Sequence, residues 1–110
     1  MIHLMNSAVM PAGCHGTYVY GPATTQDLKD VMLGKHGTVK SSIGYPQNAD
    51  LIEQWTGIRP EIRRAEIKFE DGDKALVMRL TKRVVNPAGK GSLVSSDPRD
   101  WEFAWVTFSA

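Results

Sequence analysis

The sequence predicts an α/β (α+β) fold, a small mixed β-sheet with two packed helices in the order β-β-α-β-α-β-β-β. Three observations lead to this prediction. Two segments with helical spacing of apolar residues are interleaved with β-branched and aromatic segments, a tight turn signal lies at 71–73, and the segment after it is apolar on both sides. Since the chain has 110 residues, we expect a single domain over 1–110.

The predicted strands are rich in β-branched and aromatic residues or alternate apolar with polar side chains. They cover residues 2–6, 17–20, 38–43, 62–70, 74–81 and 101–108. Apolar residues on both sides make 74–81 the expected central strand, and the turn at 71–73 pairs it with 62–70 in a hairpin. Residues 85–98 are predicted to be a loop. Trp101, Phe103 and Trp105 are expected in the core or at a subunit interface.

Both predicted helices have recognisable ends. Thr24 or Thr25 caps the first helix, and Asp27 lies three residues after Thr24, as in a capping box. Pro46 opens the second helix, because the first helical position does not need its missing N–H. Glycines end both helices, at Gly34 and Gly57.

The composition limits the kinds of molecule that the protein is expected to bind. Thirteen Lys and Arg against twelve Asp and Glu give a net charge of +1, which argues against binding long nucleic acids. Cys14 is the single cysteine, and no Cys/His spacing is typical of a metal site, so we expect neither a metal nor a cofactor. No apolar run is long enough to span a membrane, and the start lacks the features of a signal peptide. A cytoplasmic location is expected.

The turn from the third predicted strand into the second helix is the strongest candidate for a ligand site. Backbone N–H groups at a helix start can hold a phosphate. Gly44 allows close backbone approach, and Ser42 and Gln47 add polar groups. Tyr45 at the corner either packs on the helix as an ordinary strand-end tyrosine or stacks on a base. Both alternatives stay open from the sequence.

Five short motifs occur in one order along the chain. They are LMNSAV at 4–9, SIG at 42–44, RAEIK at 64–68, GDKALV at 72–77 and TKR at 81–83. The set resembles the small viral family of the anti-CRISPR ring nucleases, together with the related anti-Thoeris sponge proteins. The resemblance implies a homodimer or larger homo-oligomer. It also implies that the ligand is cyclic tetra-adenylate, cleaved without metal, or a cyclic ADP-ribose-type signal that is held intact.

The resemblance also implies two further ligand residues. Asn6 matches an asparagine near the ligand, and Arg83 matches an arginine at the phosphate, where a guanidinium can form two parallel hydrogen bonds. From the residues alone, Asn6 is equally a strand-end asparagine that bonds its own turn, and Arg83 a solvated cation.

Two departures from the family pattern bear on cleavage. Tyr45 stands where the ring nucleases have a histidine, and a phenol gives up its proton less readily than an imidazolium at neutral pH. The segment after Arg83 lacks the family's acidic residue, and His3, His15 and His36 match no catalytic position.

These features predict a phage or prophage counter-defence protein of the infected or lysogenic host cell. It would sequester a cyclic nucleotide or cyclic ADP-ribose-type signal without cleaving it. The alternatives are a metal-independent ring nuclease, in which Tyr45 and Arg83 would be catalytic, and a viral protein that binds other proteins.

Overall fold

The computed structural model describes residues 1–6, 15–63, 67–81, 84–85, 92–93 and 97–110. The strands and helices are β1 (Ile2–Met5), β2 (Thr17–Ala23), α1 (Thr25–Met32), β3 (Val39–Ser41), α2 (Pro46–Thr56), β4 (Lys74–Leu80), β5 (Val84–Val85), β6 (Ser92–Leu93) and β7 (Trp101–Ser109). The predicted fold class is confirmed, because one mixed five-stranded sheet carries two helices in the predicted order.

The main sheet has the strand order β2-β7-β4-β1-β3. β1 runs parallel to both β3 and β4, and β7 runs antiparallel to both β2 and β4. β4 is therefore the central strand, as its apolar residues on both sides predict, and Ala75 to Met78 are all buried. The carboxyl ends of β3, β1 and β4 lie side by side at one edge of the sheet, since these three strands share a direction.

Both helices cover the same face of the sheet. Thr24 and Asp27 form the predicted capping box at the start of α1. Pro46 occupies the first turn of α2, and Gly57 ends that helix in the left-handed conformation, with a φ of 83°. The helices and the sheet share one buried cluster, formed mainly by Ile2, Leu4, Leu28, Val31, Ile43, Ala49, Ile52, Leu76, Met78 and Trp101.

The aromatic residues of β7 belong to this core. Trp101 is buried, and the ring of Trp55 from α2 packs edge-on against Trp101 and Phe103, with 5.8 Å between the ring centroids in each pair. Trp105 is half-buried against the same cluster. The expectation that these side chains build the core is confirmed, because alternate residues of β7 face the helices.

The opposite face of the sheet is covered by the segment that leads into β4. Phe69 is buried there with Met5, Ala75, Val77, Val106 and Phe108. Its ring centroid lies 5.7 Å from that of Phe108. Both faces of the sheet centre are therefore closed, one by helices and one by a short irregular segment.

The strand predicted over 62–70 is wrong in the part that the structure describes. Ile62 makes a single parallel bridge to Ile43, and residues 67–70 belong to no strand, while 64–66 lie outside the described residues. The physical reason is that β1 and β7 occupy both edges of β4, so no edge is left for a hairpin partner. The alternation of Ile67 and Phe69 instead reflects packing onto the face of the sheet.

Three element boundaries also differ from the predictions. β2 continues through Gly21 and Pro22 to Ala23, which is possible because β2 is an edge strand, where a missing N–H is tolerated. β3 is shorter than predicted and ends at Ser41. The predicted loop at 85–98 includes part of the small antiparallel pair β5–β6, and its last residue begins a 3₁₀ turn at Pro98–Asp100. No helix in the described part of the chain is long and apolar enough to cross a membrane.

Candidate functional site

The topology brings the predicted site residues from different strands to one edge. Asn6 directly follows β1, Ser42 directly follows β3, and Thr81 directly follows β4. The pairing of Leu4 with Ser41 brings the ends of β1 and β3 together, whereas β4 continues three residues beyond Val77, the partner of Met5. In open sheets of this kind, ligands bind beyond the carboxyl ends of the parallel strands. The edge formed by these strand ends is called the carboxyl edge below.

Hydrogen bonds fix the corner between β3 and α2. The backbone N–H of Ser42 donates to the carbonyl oxygen of Leu4 at 2.8 Å, so the chain stays paired with β1 one residue beyond β3. Ile43 is then fully buried, and Gly44 is half-buried. The φ of Gly44 is not positive, so the turn does not require a glycine for its backbone conformation.

Tyr45 is the residue immediately before α2. Its backbone is extended, with a φ of −121°, and its side chain makes no capping hydrogen bond to the helix. The Tyr45 carbonyl accepts the N–H groups of Asn48 at 3.1 Å and Ala49 at 3.3 Å. About half of the Tyr45 surface, 48%, is exposed beside the helix start.

The two amides in the first turn of α2 have different surroundings. Gln47 is exposed, whereas Asn48 is buried with 8% of its surface accessible. Gln47 is therefore accessible to a ligand at the carboxyl edge, and Asn48 belongs to the interior of the fold. From the sequence alone, Gln47 and Asn48 are equivalent polar donors, because the sequence does not show which side of the first turn faces the sheet.

Arg83, the predicted phosphate ligand, lies outside the described residues. The last described residue before it is Thr81, whose N–H and hydroxyl both donate to the carbonyl oxygen of Asp100, at 2.8 and 2.7 Å. These bonds tie the end of β4 to the start of β7. Arg83 follows Thr81 by two positions, and its role stays a prediction.

Sequence reasoning missed a buried pair at the opposite edge of the sheet. His3 Nε2 lies 3.1 Å from Asp73 Oδ2, and the histidine side chain is only 3% exposed. Asp73 Oδ2 also accepts the backbone N–H of Glu70 at 2.9 Å. Partial burial would raise the pKa of the Asp73 carboxyl, but these two donors hold the pKa below its ordinary value of 3.8.

A sequence signal for this pair exists in retrospect. His3 stands between apolar residues in a strand that is buried on both faces, and such a histidine needs a partner. The partner is 70 positions away, which only the parallel pairing of β1 with β4 brings close. Among the described residues, no group of three or more His, Cys, Asp or Glu side chains could hold a metal ion.

Solved structures with this fold include a viral protein. B116 of Sulfolobus turreted icosahedral virus (STIV) is 19% identical to this chain, and the match has a TM-score of 0.69. It covers 96% of this chain and 97% of B116. At this identity, the match shows the shared fold. No curated protein matches the sequence.

The assignment to the ring-nuclease and anti-Thoeris family is wrong. The family model that matches residues 2–100 is the STIV B116-like model, and the structural match is B116 itself, with no support for the other assignment. Two of the five motifs overlap the buried strands β1 and β4, and one leads into the first turn of α2. Motifs in such segments reflect how a sheet of this topology is built. They do not indicate which chemistry the protein performs. The chain belongs to the STIV B116-like family, and it is a small protein of the type of the viral protein B116.

Proposed function

We propose that the carboxyl edge binds a small phosphate-bearing signal, a cyclic nucleotide or a cyclic ADP-ribose-type molecule, and holds it without cleaving it. In this proposal the protein acts in the cytoplasm of an infected or lysogenic cell and lowers the concentration of the free signal. A homodimer or larger homo-oligomer would enclose the ligand more fully than one subunit.

One observation carries the proposal. The ends of β1 and β3 lie side by side next to the start of α2, with Tyr45 half exposed at the corner. A helix start favours anions through its backbone N–H groups and its dipole. An aromatic ring next to it offers stacking to a base. Phosphate and base are the two parts of a nucleotide, and the corner has a suitable group for each.

The positions of the histidines favour binding over cleavage. The chain has three histidines. His3 is the second residue of β1, His15 precedes β2, and His36 precedes β3. β1, β2 and β3 run in the same direction, so all three histidines lie towards the amino ends of these strands, away from the carboxyl edge. At neutral pH, the side chain best suited to proton transfer is therefore missing from the carboxyl edge.

The test is to titrate the purified protein with cyclic tetra-adenylate and with cyclic ADP-ribose isomers in a calorimeter. Bound ligand is then released by heating and identified by mass spectrometry. We expect one of these molecules to bind and to be recovered intact. Cleaved products would contradict sequestration, and binding of none of them would contradict the proposed ligand class.

A pair of tyrosine variants makes the test specific to the corner. Tyr45→Ala should weaken binding about 5-fold or more, because stacking on a base contributes about 1–3 kcal/mol. Tyr20→Ala is the matched control, since Tyr20 is 52% exposed but lies in the middle of edge strand β2. Equal loss in both variants would show that the ligand does not bind at the α2 corner.

A further inference from the structure

A cavity of about 230 Å³ lies on the helix-covered face of the sheet, at the amino end of β4, and is called the Trp105 cavity below. It is lined by His36, Lys74, Trp105 and Thr107. Thr107 is the register partner of Lys74, so their side chains share one face of the sheet, and Trp105 lies on that face two residues before Thr107. The cavity shares no residue with the α2 corner.

Two aromatic rings form walls of this cavity. The imidazole of His36, in the segment after α1, has its centroid 5.2 Å from that of the Trp105 indole, and the two ring planes meet at 64°. Trp105 is half-buried against the core cluster, which holds the indole in place. Aromatic rings attract a further ring in stacked or edge-on arrangements. These walls therefore suit a ligand with a planar aromatic group.

The part of the sheet beside the cavity is apolar and open to solvent. Val19 pairs with Thr107 and Gly21 pairs with Trp105, so both β2 residues lie on the same face of the sheet as the cavity. The Val19 surface is 59% exposed, and a Cβ added to Gly21 would meet no atom within 4 Å. An exposed apolar side chain and open space next to the indole extend the apolar surface that a ligand can contact.

The charge at the cavity is positive. Lys74 is exposed and forms no ion pair within the part of the chain that the structure describes, and no carboxylate is among the described residues that line the cavity. The carboxylate of Asp73, the residue before Lys74, forms its hydrogen bonds on the other face of the sheet. Asp30, the carboxylate that interacts with His36, forms an ion pair with Lys35 at 3.4 Å. The ammonium group of Lys74 is therefore available to an anion.

We propose that the Trp105 cavity binds a small aromatic acid, a single planar ring that carries one carboxylate. The ring packs against the walls formed by His36 and Trp105, and the carboxylate accepts hydrogen bonds from the Lys74 ammonium and the Thr107 hydroxyl. A volume of about 230 Å³ is below the roughly 300–1,000 Å³ of sites for drug-sized ligands. The cavity therefore suits one ring and is too small for a nucleotide of the kind proposed for the α2 corner.

The experiment titrates the full chain at pH 7 with benzoate and follows the indole N–H signal of Trp105 by ¹⁵N–¹H NMR. Cyclohexanecarboxylate has the same charge without a planar ring, and benzyl alcohol has the ring without the charge. We expect saturable benzoate binding that shifts the Trp105 signal, and about 3-fold or more weaker binding of each comparison ligand. Equal binding of either comparison ligand, no saturable binding of benzoate, or saturation without a shift at Trp105 would overturn the proposal.

Two variants of the lining residues locate the carboxylate. Lys74→Gln removes the charge, and Thr107→Val keeps the shape of the side chain but removes the hydroxyl, so each should weaken benzoate binding about 3-fold or more. Lys35→Gln is the matched control, because Lys35 pairs with Asp30 and does not line the cavity, and it should leave binding unchanged. Undiminished binding in Lys74→Gln or Thr107→Val, with the fold verified by the NMR spectrum, would overturn the proposal.

Discussion

At the scale of single residues, the start of α1 depends on a reciprocal cap formed by Thr24 and Asp27. Thr24 Oγ1 accepts the N–H of Asp27 at 3.2 Å, and Asp27 Oδ2 accepts the N–H of Thr24 at 2.8 Å. Thr24→Ala removes the first of these bonds and should lower the free energy of unfolding by about 1 kcal/mol. Urea denaturation measures the change. Thr25→Ala is the control, and an equal loss there would show that capping is not the cause.

Also at this scale, Asp73 gives stability a defined pH dependence. Its pKa is lower in the folded protein than its ordinary value of 3.8, so the unfolded chain binds its proton more readily. The stabilisation is complete above that ordinary value and is lost as the pH falls through the folded pKa. Asp73→Asn should therefore make the acid side of the stability curve shallower.

Denaturation of the Asp73 variant between pH 6 and pH 2 checks this expectation. Glu61→Gln is the control, because Glu61 is exposed and its carboxylate forms no ion pair in the described part of the chain. An unchanged acid slope in the Asp73 variant would contradict the role assigned to the pair with His3.

At the scale of an element, the end of α2 is set by backbone conformation. Gly57 has a φ of 83°, and a Cβ added there would meet no atom within 4 Å. Gly57→Ala should therefore cost about 1 kcal/mol through left-handed strain alone. Gly21→Ala is the matched control, since Gly21 also has open space but no positive φ. Thermal unfolding of both variants separates strain from crowding, and equal midpoints would contradict the explanation.

At the scale of the whole molecule, the sheet is stable only if both faces are covered. Phe69, with 7% of its surface exposed, closes the face away from the helices. Phe69→Ala should lower the free energy of unfolding by about 3 kcal/mol. Tyr20→Ala should change it by about 0.5 kcal/mol, because Tyr20 is half exposed on the edge strand. A small effect of Phe69→Ala in urea denaturation would show that this face does not contribute to the core.

Local signals predicted most of the elements. The capping box at Thr24, the proline at position 46 and the glycine at 57 all act within a few residues of the ends they define. The central position of β4 was predictable because its side chains are apolar on both sides. The irregular structure of residues 67–70 was not predictable. The alternation that places Ile67 and Phe69 on one side is expected both for a strand and for an irregular segment packed on a sheet face.

The candidate site was predictable only in part. The corner around Tyr45 follows from the order of strand, glycine and helix start. The five motifs led to a wrong family, and two of them overlap the buried strands β1 and β4, where burial limits the choice of residue type. The opposite exposures of Gln47 and Asn48 depend on which side of α2 meets the sheet.

By itself, the sequence determined the fold class, the ends of both helices and the place of the α2 corner, because these depend on periodicity and on backbone preferences of neighbouring residues. Only the tertiary structure decided which strands pair, which segment covers the second face, and that His3 meets Asp73. The physical reason is that β1 pairs with β3 and β4 across long stretches of chain, and contacts of that kind leave no local pattern in the sequence.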